Sequence, residues 1–138
     1  MPAKDRYHDA VRNALVKDGW IIVFDPYPIK YQEVRLLADL AGEKTISATK
    51  EEKQIVVEIK SFLGRSPMRE FETALGQYLI YQTFLSVTHP EYQVYLAIAR
   101  EIYENFFSQL AIQVILQKYQ ILLLIVDIEQ EVIIQWKS

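Results

Sequence analysis

The chain has 138 residues and no cysteine, so it can hold one domain with one sizeable core, while disulfides and thiolate metal sites are excluded. It is 51% hydrophobic and 24% charged, its longest apolar runs fall far short of the roughly 20 residues of a membrane span, and no basic-then-apolar leader opens it, so the cytoplasm is the expected compartment. A net charge of −3 argues against strong non-specific nucleic-acid binding, which draws on a basic excess, and two histidines argue against a multi-histidine metal site.

Residues 4–18 read as an amphipathic helix: Tyr7, Ala10 or Val11, Ala14 and Leu15 recur at helical spacing, Asp5 suits the N-cap, and Gly19 suits the left-handed stop. Residues 20–24 read as a buried strand, ended by Asp25-Pro26-Tyr27-Pro28. Residues 30–38 make a second extended segment leading to Asp39, residues 41–44 a turn, and residues 45–49 a further strand. Lys50-Glu51-Glu52-Lys53 reads as a solvated hairpin loop, and residues 54–62, rich in Ile and Val, as the central strand.

Leu63-Gly64-Arg65 turns the chain, and Ser66 as N-cap with Pro67 at the first helical position starts a helix running to about Val87, closed by His89-Pro90. Residues 92–99 alternate as a strand, residues 101–107 and 110–119 read as short helices, residues 121–126 as a sheet-interior strand, and residues 132–136 as a final edge strand. The expected fold is α/β, a mixed central sheet flanked by helices, in one domain over residues 1–138 with no repeat or linker to mark a second.

On the central strand, side chains alternate faces, so Ile55, Val57 and Ile59 share one face and Val56, Glu58, Lys60 and Phe62 the other. Two opposite charges on an otherwise apolar face are costly unless paired, ligating or working. The alternative is an edge strand with one wet face, which Val56 and Phe62 weaken by sharing the face. The acid-x-Lys tripeptide also occurs as Glu51-Glu52-Lys53, where the charged loop gives it a solvated role.

Asp39, a gap, and then Glu58-Ile59-Lys60 on a strand resembles the metal site of the PD-(D/E)xK nuclease superfamily. Phosphodiester hydrolysis uses a hard divalent cation, and Mg²⁺ or Mn²⁺ takes oxygen ligands. Asp39 and Glu58 would supply carboxylates and Ile59 its backbone carbonyl, while Lys60 would orient the water and stabilise developing negative charge. Gln77 and Tyr81 stand on one face of the following helix, with Glu70 and Thr73 near the same stripe, and Phe71, Ala74, Leu75, Tyr78, Leu79 and Leu85 facing the core. A Gln-x-x-x-Tyr pair there resembles the exonuclease-like branch of the superfamily; the plain alternative is an amphipathic boundary. The superfamily also implies an acid on the first helix, a place that His8 or Asp9 could fill, or these are simply solvated polar residues beside a cap. Arg65, Arg69 and Arg35 are candidate phosphate contacts.

The opening Met-Pro-Ala-Lys-Asp-x-Tyr-His-Asp-x-Val, with Ala14-Leu15-x-Lys17-Asp18-Gly19-Trp20, resembles the cyanobacterial XisH proteins, the fdxN-element excision controlling factors. So do residues 57–67 (Val-Glu-Ile-Lys-Ser-Phe-Leu-Gly-Arg-Ser-Pro), residues 74–81 (Ala-Leu-Gly-Gln-Tyr-Leu-Ile-Tyr) and the closing Gln135-Trp136. The resemblance implies a restriction-endonuclease-like fold and a part in excising a chromosomal DNA element during heterocyst differentiation, with a site-specific recombinase and a second controlling factor, XisI. Asp39 follows Ala38 rather than the proline of the superfamily pattern.

Two functions follow. One is a metal-dependent nuclease acting on DNA. The other is a non-catalytic accessory factor that keeps the fold and binds a protein such as XisI, with Tyr27, Tyr31, Tyr92, Phe106 and Phe107 as candidate surface aromatics. A third reading makes the acids a structural ion pair. The final strand offers an edge through which a homodimer could pair.

Overall fold

The computed structural model describes residues 3–25, 27–36 and 45–137. Asp39 and the expected turn at residues 41–44 lie outside the described residues, as do the side chains of Asp5 and Arg35.

Helix α1 (Ala3–Lys17) ends at Gly19, whose φ of 93° is the left-handed stop expected there. Strand β1 (Ile21–Phe24) pairs antiparallel with β4 (Thr45–Lys50), and β4 pairs antiparallel with β5 (Lys53–Ile59). Helix α2 (Pro67–Thr88) carries the chain over the sheet to β6 (Tyr92–Ala99), which runs parallel to β5. Then come α3 (Arg100–Ile102), a π-helical turn (Tyr103–Phe107), α4 (Leu110–Lys118), β7 (Leu123–Asp127) parallel to β6, and β8 (Val132–Lys137) antiparallel to β7. The sheet is six-stranded, in the order β1-β4-β5-β6-β7-β8, so the mixed sheet flanked by helices that the sequence predicts is present. A small hairpin of β2 (Ile29–Tyr31) and β3 (Val34–Leu36) stands apart from it.

The alternation read on the central strand sorts two cores. Ile55, Val57 and Ile59 pack with Ala10, Val11, Ala14 and Leu15 of α1, while Val56 and Phe62 pack with Phe71, Ala74, Tyr78, Tyr81 and Leu85 of α2. Burying such stripes is worth about 25 cal/mol per Å² of apolar surface, which is what seats a helix layer on each face.

Several expectations change. Of the segment expected to run extended over 30–38, the described residues up to Leu36 belong to a hairpin, because Gln32 takes a φ of 55° and folds β3 back on β2. Of residues 20–24, Trp20 is buried as expected, but Ile21–Phe24 form an edge strand with Ile21, Val23 and Phe24 exposed, not a buried one. The central strand ends at Ile59, since Phe62 adopts a φ of 54° that no strand continues. Tyr27, Phe106 and Phe107 are buried in the core, so the aromatic surface suggested for a partner does not form from them. Residues 132–136 do lie in an edge strand, β8. Among the described residues no helix is long and apolar enough to cross a membrane.

Candidate functional site

The parallel pairing of β5 with β6 puts Glu58 beside Leu96 and, across β4, beside Thr45. One residue past the strand the Lys60 N–H donates to the Ala97 carbonyl at 3.1 Å, which extends the ladder and fixes where the lysine side chain leaves the backbone. Glu58 is 2% exposed and Lys60 is 5% exposed, so both charged groups are sunk on the α2 face of the sheet among Val56, Leu96 and Phe62. The wet-face alternative is thereby removed. Carboxylates and ammoniums are almost never this buried without a partner or a task.

The loop behind Lys60 is held at several points. Phe62, in its left-handed conformation, packs edge-on against Phe107 with ring centroids 5.3 Å apart, and Phe71 packs on both Phe106 and Phe107. The π-helical turn brings these two consecutive phenylalanines to one aromatic cluster. The Gly64 N–H donates to Glu70 Oε2 at 2.6 Å, and a Cβ on Gly64 would lie the same 2.6 Å from that oxygen, so a side chain there would push the carboxylate aside. Ser66 caps α2 by accepting from the Arg69 N–H at 3.2 Å, with Pro67 opening the helix as expected. Arg65 and Arg69 are exposed beside this helix start.

Helix α2 closes the site from above. Tyr78 is fully buried; its hydroxyl donates to the Val94 carbonyl at 2.7 Å and accepts from the Leu122 N–H at 3.1 Å, pinning the helix to β6 and the entry to β7. Burial pushes its pKa up to about 12; the Leu122 N–H lowers it, and Tyr95 and the Glu58 charge raise it further. Gln77, beside Tyr78, is half-buried, and its Oε1 is a buried acceptor without a hydrogen bond among the described residues. Tyr81 lies in the core stripe at 7% exposure. Glu70 is half-buried, whereas Thr73 is exposed and bonds back to the Arg69 carbonyl.

The first-helix candidates sit elsewhere. His8 is on α1, which packs against the opposite face of the sheet, and its Nε2 lies 2.9 Å from Asp25 Oδ2, an oxygen that also accepts from Arg12. Asp9 is exposed. No described contact brings either residue to Glu58. The role of Asp25, next to Pro26, escaped sequence reasoning because nothing in spacing links residues 17 apart across a helix and a strand. Ser47, fully buried with no hydrogen bond to its Oγ among the described residues, was also missed; it faces Val56 across β4 and β5, and the alternation of β4 was the available signal.

Glu58 and the Ile59 carbonyl are hard oxygen donors, the kind that Mg²⁺ or Mn²⁺ takes. Among the described residues no three His, Cys, Asp or Glu side chains cluster around a metal position.

The class these features define is a mixed α/β domain with an acid and a lysine sunk at the end of its central strand, roofed by a long helix. The chain belongs to the XisH family, whose model, described as XisH protein, matches residues 1–134. A crystal structure of an XisH family protein from Nostoc punctiforme PCC 73102 has TM-score 0.90 and 41% identity, covering 97% of this chain and 100% of that chain. A crystal structure of an fdxN element excision controlling factor protein from Anabaena variabilis has TM-score 0.89 and 39% identity, covering 97% of this chain and 99% of that one. No curated protein matches the chain.

Proposed function

We propose that this chain is an excision controlling factor, like the protein its Anabaena variabilis relative is named for, and that it works as a metal-dependent nuclease of the PD-(D/E)xK type on DNA. The observation that carries the reading is the burial of Glu58 and Lys60 on one apolar face at the end of β5. A charged pair that served only the surface would be wet, and one that served only the core would be better replaced by hydrocarbon.

Glu58, the Ile59 carbonyl and Asp39 would hold Mg²⁺ or Mn²⁺. Such an ion would offset charge on the phosphate oxygens and lower the pKa of the attacking water. Lys60, its backbone fixed by the Ala97 carbonyl, orients that water and stabilises the negative charge that develops on the phosphate. Gln77, whose buried Oε1 is open to a donor, and Tyr81 position the substrate or Lys60 from the α2 side, and Arg65 and Arg69 meet the phosphates flanking the cut.

The test is cleavage of end-labelled linear, branched and single-stranded DNA by wild type and Lys60→Ala, with Mg²⁺, Mn²⁺ or EDTA. Cleavage that needs the metal and falls by about a hundredfold or more in the variant is expected, the scale of losing one transition-state donor. Wild type that cuts nothing, or a variant that cuts equally well, would sink the reading.

A second reading has an observation of its own. Leu110 and Val114 are 80% and 58% exposed, one turn apart on α4. Such an apolar stripe suits a protein partner, and an XisI-like controlling factor, alone or with a recombinase, is the one this reading names. It predicts that Leu110→Asp abolishes a complex that Lys60→Ala leaves intact, as read by co-purification.

A further inference from the structure

At the other end of β5, and on the other face of the sheet, lies a cavity of about 440 Å³ between the end of α1, the β4–β5 turn and the start of β6. That volume falls within the range of about 300–1,000 Å³ for small-molecule sites. Its wall is aromatic. Trp20, Tyr95 and Trp136 line it, with Trp20 and Trp136 centroids 5.5 Å apart at 43° and Tyr95 against Trp136 at 4.9 Å and 78°. Neither neighbour stacks flat on Trp136, so neither covers a whole face of that indole.

The polar groups at the rim are Asp18, Lys50, Glu51, Lys53 and Gln93. Asp18 accepts from Trp20 Nε1 at 3.2 Å, and Lys50 lies 3.6 Å from the same carboxylate and donates to the Asp18 carbonyl, so these two charges satisfy each other. Lys53 is exposed, lines the cavity and makes no ion pair among the described residues. Gln93 is also exposed and offers both an amide donor and an acceptor. Aromatic walls, one amide able to read a ring edge and the Lys53 ammonium, which shares the rim with the Glu51 carboxylate, match a planar base whose negative charge is met by Lys53.

We propose that this cavity binds a nucleotide, its base against Trp136 and Tyr95 with Gln93 at the base edge, and its phosphate at Lys53. The ligand is a free nucleotide or the phosphorylated end of a DNA strand; the chemistry of recognition is the same. The cavity shares no residue with Glu58 and Lys60, so this inference and the nuclease reading stand or fall separately.

The two tryptophans of the chain both line the cavity, so intrinsic fluorescence reports on it directly. Wild type and Lys53→Glu, a change at an exposed position, are titrated with dAMP, deoxyadenosine, and a short oligodeoxyadenylate with and without a 5′ phosphate. The expected result is a saturable change with dAMP or the 5′-phosphorylated oligomer that weakens about tenfold or more in Lys53→Glu and on loss of the phosphate, the scale of one charge-assisted hydrogen bond. Saturation by dAMP alone assigns a free nucleotide; saturation by the phosphorylated oligomer, with or without dAMP, assigns a strand end. Three results overturn the proposal: no saturable change with any of the four, equal binding by Lys53→Glu, or binding of the unphosphorylated ligands as tight as that of the phosphorylated ones.

Discussion

Tyr78 joins stability to the candidate site through one hydroxyl. Its pKa rises from the ordinary 10.0 to about 12, with burial as the main cause. The neutral phenol is therefore favoured more in the folded chain than in the unfolded one. Its stabilisation is complete below pH 10 and is lost as pH climbs toward about 12, a window in which the buried portions of Tyr27 and Tyr95, also shifted upward, add in the same direction. Urea melts across this range should show a steep alkaline loss that is shallower in Tyr78→Phe. That variant should also lose about 1–3 kcal/mol near neutrality, because the Val94 carbonyl and the Leu122 N–H lose their partner. An alkaline loss as steep in Tyr78→Phe as in wild type would place its cause elsewhere. The burial of Glu58 and Lys60 was legible in the sequence, because a period of two assigned them to the face of Val56 and Phe62. The pairing of His8 with Asp25 was not, since it depends on how α1 sits over the end of β1.

Among the elements, the turn from β4 to β5 is under strain. Glu51 and Glu52 have φ of 51° and 71°, the geometry of a tight hairpin turn that prefers Asn-Gly, yet neither side chain favours it. Glu51→Asn with Glu52→Gly should raise stability by about 1–2 kcal/mol, seen as a higher urea midpoint with an unchanged slope. An unchanged or lower midpoint would mean that the two glutamates are held there by something worth more than the strain. The hairpin itself was readable, because Lys50-Glu51-Glu52-Lys53 is a charged break between two β-rich runs. The start of α2 was equally readable, since Ser66-Pro67 carries its own cap and the helix begins at Pro67. The hairpin of β2 and β3 and the π-helical turn were not. The first hinges on a left-handed Gln32, a residue type with no turn signature, and the second on how Phe106 and Phe107 settle against Phe62 and Phe71.

At the scale of the molecule, a cation held by Glu58 would bind the folded chain and not the unfolded one. Millimolar Mg²⁺ or Mn²⁺ should therefore raise the melting temperature, by the equivalent of about 2.7 kcal/mol at a hundredfold excess over the dissociation constant. The rise should vanish in Glu58→Gln and survive in His8→Asn, because His8 belongs to the layer on the other side of the sheet. An equal rise in Glu58→Gln would remove this carboxylate from any metal site.

The layer built on α1 also governs how the protein is made. Asn13 donates to Glu131 at 3.2 Å and Lys17 to the Gln130 carbonyl at 3.0 Å, across separations of 118 and 113 residues, and Leu15 shares its core with Leu124, Val126 and Trp136. On a ribosome adding about 5–20 residues per second, α1 emerges many seconds before the strands that complete its seat. Its apolar stripe waits until β7 and β8 have left the exit tunnel, and the last core to close is the one whose helix was made first. A nascent chain stalled just after residue 119 should consequently be cut by protease within α1 while the same helix resists in the released protein.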